Sequence, residues 1–286
     1  MTLPTITDVS YFLAVHEEGS LSKAAEKMGI RQSSMSMALK RLEEQLGTHL
    51  FVRSKGTIML TSSGRSLVER SRGLLLEWQR MADSITAGTT ELAGRFVISA
   101  YPTMATYMLP RILGELLREN PRIEIKLVSE YSRNITQSLL TYQCDFGLVS
   151  EPTPDPRLER RKLASRYIGL WRAHDPNVPT DIVVYDSGMA AVPEILRLSE
   201  KAGARFRRTV EVADVETVAA LVANGAGIGV LSSLVATRQQ HGPIEAVFPR
   251  LVRKEAEVYL LSRKENLPAS VTQYLFERLC SGLKEA

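Results

Sequence analysis

Gln32, Ser33 and Ser36 lie within five residues of one another, at the head of a stretch whose cations outnumber its anions. Residues 31–65 carry Arg31, Lys40, Arg41, Arg53, Lys55 and Arg65 against Glu43 and Glu44, whereas residues 1–30 carry Lys23 and Lys27 against Asp8, Glu17, Glu18 and Glu26. A Gln amide can make two hydrogen bonds to an adenine edge, a Ser hydroxyl serves bases or phosphates, and Lys or Arg supplies salt-sensitive attraction to a phosphate backbone. The chemistry on offer is that of nucleic-acid recognition. Taken singly, Lys40, Arg41 and Lys55 fit a solvated surface as well as a phosphate contact.

Two further groups stand where a strand would hand over to a helix: Tyr101, Pro102, Thr103 and Met104, and then Ser129, Glu130 and Tyr131 with Ser132. Free N–H groups and the positive end of a helix suit a carboxylate or phosphate there, so both turns are candidate contacts for a small, possibly anionic, molecule. Thr103 reads equally well as an ordinary helix cap. Catalytic groupings are missing from the sequence. His16, His49, His174 and His241 are scattered without metal-ligand spacing, and there is no phosphate-binding Gly-Lys-Ser/Thr loop, serine elbow or metalloprotease helix motif. Gly225-Ala226-Gly227-Ile228-Gly229 precedes a strand, the wrong context for a dinucleotide. The reading is of a non-enzyme with no catalytic residue, no metal and no cofactor. Cys144 and Cys280 read as packing residues, with redox sensing as the alternative. The run Lys201, Arg205, Arg207 and Arg208 reads as a solvated face able to attract an anion or a DNA flank.

Helical elements must position the first group. Val9, Phe12 and Leu13 predict a helix before Gly19; Ser20 can cap a second, Leu21 to Met28, which Gly29 closes. Met35, Leu39, Leu42 and Leu46, offset by four, three and four, predict the buried stripe of a third helix from Gln32 to a stop at Gly47. Ser33, Met37 and Lys40 then fall on the opposite face, flanked by Ser36. Ala24 and Ala25 make the second helix narrow enough for a helix-turn-helix crossing. Residues 49–53 and 58–61 predict a hairpin, or wing, with Arg53 and Lys55 near its tip.

After Thr61, a candidate cap, no proline occurs up to Thr86, and Gly64, Leu67, Ser71, Leu74, Trp78, Met81 and Ile85 alternate at three and four residues. This heptad seam predicts a dimerising helix, with packing against its own chain as the alternative; Leu67, Leu74, Trp78, Met81 and Ile85 are the candidate dimer contacts. From Arg95 onward strands and helices alternate in two sets, predicting a mostly parallel sheet in two lobes with a cleft at the strand ends. The expected division is 1–61, a winged helix-turn-helix; 62–90, linker helix and hinge; and 91–286, an α/β domain with lobe I about 91–164 and 233–286 and lobe II about 165–232.

The 286 residues, 44% apolar and 24% charged, suit an ordinary folded protein of two domains, and a net charge of +4 adds little to the local argument. No apolar run reaches membrane-spanning length and the N-terminus lacks the pattern of a signal peptide, so a cytoplasmic location is expected.

Residues Ser20 to Gly64, SLSKAAEKMGIRQSSMSMALKRLEEQLGTHLFVRSKGTIMLTSSG, closely resemble the DNA-binding domain of LysR-type transcriptional regulators. The resemblance rests on Ala24-Ala25, Gln32-Ser33 and Ser36, Leu42-Glu43, Leu46-Gly47, Leu50-Phe51-Val52-Arg53 and Leu60-Thr61-Ser62-Ser63-Gly64, and extends through Asp145-Phe146-Gly147-Leu148-Val149 and Val222 to Leu231. It implies an N-terminal winged helix-turn-helix, a linker helix and a C-terminal two-lobed α/β domain of periplasmic-binding-protein type. It also implies Gln32, Ser33 and Ser36 in the major groove of promoter DNA, Arg53 along the backbone or minor groove, a small-molecule effector between the lobes, a homodimer or homotetramer, and contact with RNA polymerase. Some relatives switch by cysteine oxidation, and a redox-responsive or effector-independent regulator of the same fold is the alternative. Arg31 departs from the family's usual Ser or Thr before the Gln; it cannot cap the helix but can donate to a phosphate or a guanine edge. Tyr131 replaces a common small residue, Ser232 a common proline, and only seven residues separate His174 from Ile182, so a trimmed second lobe and a small pocket are expected.

Overall fold

The structure is a computed structural model that describes residues 3–54, 57–86, 92–267 and 269–284. The chain divides into two compact units, Met1–Thr90 with Thr141–Gln143, and Glu91–Leu140 with Cys144–Ala286.

In the first unit, α1 (Ile6–Glu18) starts where the Thr5 side chain accepts from the Asp8 N–H and ends at Gly19, whose φ of 60° only glycine adopts cheaply. The Ser20 side chain caps α2 (Leu21–Lys27), and α3 (Gln32–Leu46) stops at Gly47, again left-handed with φ 67°. Strands β1 (Phe51–Ser54) and β2 (Thr57–Leu60) pair antiparallel from Phe51 opposite Leu60 to Ser54 opposite Thr57, and α4 (Ser62–Thr86) follows. Phe12, Val15, Ala24, Ala25, Met35, Leu42 and Leu50 form the core, with the Phe12 and Phe51 rings 5.2 Å apart. The predicted stripe of α3 needs one correction: Leu46 is 40% exposed, and Ala38 is buried beside Leu39 instead. Leu46 sits in the last turn, past the residues that cross the other helices.

The predicted seam of α4 divides in two. Gly64, Val68 and Ser71 are buried and Leu67 and Leu75 pack on the core of their own unit, whereas Leu74, Trp78 and Met81 are 55%, 50% and 46% exposed. A Cβ on Gly64 would lie 2.2 Å from the Leu50 carbonyl oxygen, so this turn of α4 lies directly on the chain entering the hairpin.

The second unit runs β3 (Ala93–Ala100), α5 (Pro102–Tyr107), α6 (Leu109–Glu119), β4 (Arg122–Ser129), α7 (Ser132–Leu140) and β5 (Phe146–Ser150). Then come β6 (Leu158–Ala173), β7 (Ile182–Asp186), α8 (Val192–Lys201), β8 (Arg208–Val212), α9 (Val215–Ala223), β9 (Ile228–Ser232), α10 (Ser233–Arg238), β10 (Ile244–Val247), β11 (Arg253–Arg263) and α11 (Ser270–Lys284). Two helices follow β3, with Met108 between them; Pro110 brings no N–H and suits the first turn of α6. No helix occupies 174–181, in keeping with a trimmed second lobe.

The strands form one sheet in the order β4-β3-β5-β11-β6-β9-β7-β8, with β10 also on β6. β3, β4 and β5 are parallel in lobe I and β7, β8 and β9 in lobe II; the antiparallel pair β6 and β11 runs from one lobe into the other. Each lobe has its own core, Phe96, Phe146, Leu260 and Phe276 in the first and Val184, Ile195, Val218 and Val230 in the second. Under lobe I the Arg263 guanidinium is buried, donating to the Leu139 and Cys144 carbonyls at 2.6 and 2.7 Å and to Asp145 Oδ1 at 3.3 Å. Asp145 Oδ2 accepts from the Val97 N–H at 2.8 Å.

Candidate DNA-reading face and small-molecule cleft

Arg31, Gln32, Ser33, Ser36 and Lys40 are all exposed on one face of α3, with Ser34 and Met37 among them. Burial of Met35, Ala38, Leu39 and Leu42 turns this face outward, and Ala24 and Ala25, both buried, let α2 cross close behind it. Arg31 stands at the N-cap with extended backbone and no side-chain capping bond, so its guanidinium is not committed to the helix end. Lys40 reaches Glu44 at 3.6 Å, a pair between highly exposed side chains that is too weak to hold it from a phosphate. Arg41 is different. It bonds through Nε at 3.0 Å and through Nη2 to the Asp8 carboxylate, whose own side chain is fully buried in α1. Burial acts to raise the Asp8 pKa, but the Arg41 and Thr5 hydrogen bonds outweigh it and hold the carboxyl below its ordinary value. Arg41 therefore locks α3 against α1.

The hairpin is positioned by a residue whose role the sequence reading missed. Glu43 Oε1 accepts from the Leu50 and Phe51 N–H groups at 2.7 and 3.3 Å, tying the exposed helix to the first strand of the wing. Its signal was the Leu42-Glu43 pair ahead of Gly47. Arg53 lies in β1 opposite Ile58; its side chain and Lys55 lie outside the described residues, as does the side chain of Ile85.

In the second unit a cavity of about 230 Å³ opens between the lobes where their strands end. Of the residues expected there, Tyr101, Thr103, Met104 and Tyr131 line it, and Pro102, Ser129 and Glu130 do not. Glu130 turns toward Ser99 and Ser138, accepting from their hydroxyls at 3.4 and 2.9 Å. Thr103 is not a cap, since Tyr101 holds the N-cap position, and α5 is only six residues long. Ser232 caps α10 by accepting from the Val235 N–H at 3.4 Å and also lines the cavity. The sequence reading did not anticipate Arg133, Arg166, Glu151 or Lys254, which bring charge to the wall, nor Gly188, Met189 and Ala191 from lobe II.

Tyr131 crosses the cleft. Its hydroxyl donates to the Ala213 carbonyl at 3.2 Å and reaches Asp186 Oδ1 at 3.5 Å, its ring meets Tyr101 edge-on at 5.9 Å, and a Cβ on Gly188 would lie 2.2 Å from the ring. Burial first, and then the Asp186 carboxylate, push the Tyr131 phenol above its ordinary value. A second strut joins Tyr107 of α5 to Glu216 of α9 at 2.5 Å, and a third Lys254 of β11 to Glu194 of α8 at 2.9 Å.

A helix-turn-helix with a hairpin beside it, in one chain with a two-lobed α/β cleft, is matched by two family patterns. "Bacterial regulatory helix-turn-helix protein, lysR family" covers residues 6–65 and "LysR substrate binding domain" covers residues 89–281. The chain belongs to the LysR family of transcriptional regulators. Among LysR relatives it is 24% identical over 274 residues to "Uncharacterized HTH-type transcriptional regulator YfeR" of Shigella flexneri, covering 92% of this chain and 88% of that one. It is 25% identical over 261 residues to "Probable hydrogen peroxide-inducible genes activator" of Mycobacterium leprae, with 87% and 82% covered. The fold matches full-length CbnR solved with its target DNA, at a TM-score of 0.66 and 21% identity over 98% of this chain and 99% of that one.

The two cysteines of this LysR-type chain are free and buried. Desolvation pushes the Cys144 thiol up to about 12 and the Cys280 thiol up to about 11, so both are protonated at neutral pH. Among the described residues no His, Cys, Asp and Glu cluster could hold a metal, and no helix is long and apolar enough to cross a membrane.

Proposed function

We propose that this LysR-type regulator reads promoter DNA with the exposed face of α3 and is modulated by a small molecule in the cleft between its lobes. The observation that carries the reading is the outward face Arg31, Gln32, Ser33, Ser36 and Lys40, held on a rigid three-helix core. Gln32, Ser33 and Ser36 are the base readers, with Arg31, Lys40, Arg53 and Lys55 on the phosphates. CbnR, solved with its target DNA, is a LysR family regulator of the same fold and supports this assignment. The active species is a homodimer or homotetramer joined through α4 about Leu74, Trp78, Met81 and Ile85, acting with RNA polymerase in the cytoplasm and catalysing nothing. Leu67, the remaining candidate of the seam, is half-buried against the core of its own unit.

Thr103 and Tyr131, with Tyr101 and Met104, bind the effector, and the small cavity limits it to a compact molecule. Peroxide sensing through cysteine, which the names of some relatives bring to mind, runs against the chemistry of Cys144 and Cys280: thiols this buried and this weakly acidic are poor nucleophiles.

Footprinting of the full chain on DNA upstream of its own gene should give a pseudo-palindromic protected region whose affinity falls steeply with salt. Gln32→Ala should cost discrimination between specific and random DNA, while Lys55→Ala should weaken both alike. Protection without dyad symmetry, or equal loss of discrimination in the two variants, would sink the assignment.

A further inference from the structure

The cavity wall holds two guanidinium groups with no carboxylate partner among the described residues, Arg133 from α7 and Arg166 from β6. Arg133 rests on the Tyr131 ring, 5.4 Å from its centroid. Arg166 stands where β6 passes from one lobe to the next, its backbone in register with Ala256 of β11, and its Nε is buried with no hydrogen-bond partner among the described residues. A buried guanidinium donor left unpaired is costly, and such groups are normally satisfied by a carboxylate or a carbonyl. Thr103 lines the same cavity, is 4% exposed and makes no side-chain hydrogen bond among the described residues. Lys254, the third cation of the wall, is already held by Glu194 at 2.9 Å and Glu151 at 3.7 Å. The rest of the wall is largely apolar, including Met104, Ile168, Met189, Leu234 and Val258.

Resting on the effector reading above, we propose that this cleft selects a compact monocarboxylate with an apolar body, and that Arg166 is the residue that takes its carboxylate. The planar fork of the guanidinium matches a carboxylate with two N–H donors, and Thr103 supplies a further donor. The apolar wall takes the hydrocarbon part. A phosphate dianion fits worse, because it would face this wall with more charge and more oxygens than Arg166 and Thr103 can satisfy. The cavity of about 230 Å³ lies below the usual range for drug-sized ligands and suits a short branched or single-ring acid. Because Arg166 belongs to a strand shared by both lobes, an anion bound there sits on an element common to the two.

The test measures binding of 3-methylbutanoate and benzoate, the two corresponding amides, and inorganic phosphate to the full chain, by calorimetry and by melting temperature. At least one acid should bind about tenfold or more tightly than its amide, and phosphate should not bind in the cleft. Arg166→Gln should abolish the preference for acid over amide, and Arg166→Lys should restore part of it, since the charge returns without the fork. Without ligand, the Arg166→Gln variant should melt at or above the wild-type temperature, because an unpaired buried donor has been removed. A marked fall in that temperature would assign Arg166 to the architecture and overturn the proposal. Acid and amide binding equally, with both lost in Met104→Trp, would overturn Arg166 and the anion while leaving a cleft effector in place. Failure of all five compounds to bind the wild-type chain would overturn the monocarboxylate, and DNA binding by the same sample would show that the regulator itself is intact.

Discussion

At the scale of single residues, two adjacent cations of α3 have separate duties. Arg41 is one: its partner Asp8 is buried at the foot of α1, so losing the guanidinium leaves a desolvated carboxylate. Arg41→Leu should destabilise the first unit clearly more than Lys40→Leu, which loses only an exposed pair. The depressed Asp8 pKa sets the sign of the pH effect. Its stabilising contribution is complete above the ordinary carboxylate value of 3.8 and is lost as pH falls through the lower folded-state value. Thermal melts from pH 6 to pH 2.5 should therefore show a flatter acid limb in Asp8→Asn than in wild type; identical limbs would remove Asp8 from the account. Gly188 and Tyr131 form the second residue-scale pair. Gly188→Ala should lower stability by about 1 to 3 kcal/mol through overpacking against the phenol ring, and the same change made in a Tyr131→Ala background should cost almost nothing.

At the scale of elements, α4 performs two tasks along its length. Its first turns complete the core under the hairpin and its later turns present Leu74, Trp78 and Met81 to solvent. Leu74→Glu with Met81→Glu should dissociate the oligomer in sedimentation while the circular dichroism of the chain is retained; an unchanged sedimentation coefficient would place the seam outside the assembly. Local signals made α1 to α4 legible: a capping Ser20, stops at Gly19 and Gly47, an apolar stripe, and a proline-free heptad run. β6 was not legible. Its Glu159, Arg160, Arg161 and Lys162 crowd four charges into one end of the strand and hide the period of two, although Leu158, Leu163, Leu170 and Trp171 are buried. That omission also hid Arg166, since only the strand's path between the lobes brings it to the cavity. Tyr101, Thr103 and Tyr131 were found because strand-end turns are where ligands of open sheets bind; Glu130 misled because the same turn also faces Ser99 and Ser138.

At the scale of the whole molecule, the two lobes have separate hydrophobic cores yet share one sheet. β6 contributes Leu163 to the first core and Leu170 and Trp171 to the second, and it pairs with β11 from Leu158 to Gly169. Neither lobe can lose its share of these strands without stripping backbone partners from the other, so residues 92–284 should denature as one cooperative unit rather than lobe by lobe. Two native reporters sit on opposite sides: the Trp171 indole, which donates to the Leu231 carbonyl at 3.1 Å in lobe II, and the buried Cys280 thiol in lobe I. In a Trp78→Phe background, the urea midpoint from Trp171 fluorescence should coincide with that from Cys280 labelling in Cys144→Ser. Two midpoints would reveal independent lobes. A single one would mean that a substitution deep in one lobe is felt at the far edge of the other as lost stability, so that mutational damage to this regulator is shared across its two-lobed unit instead of staying where it was made.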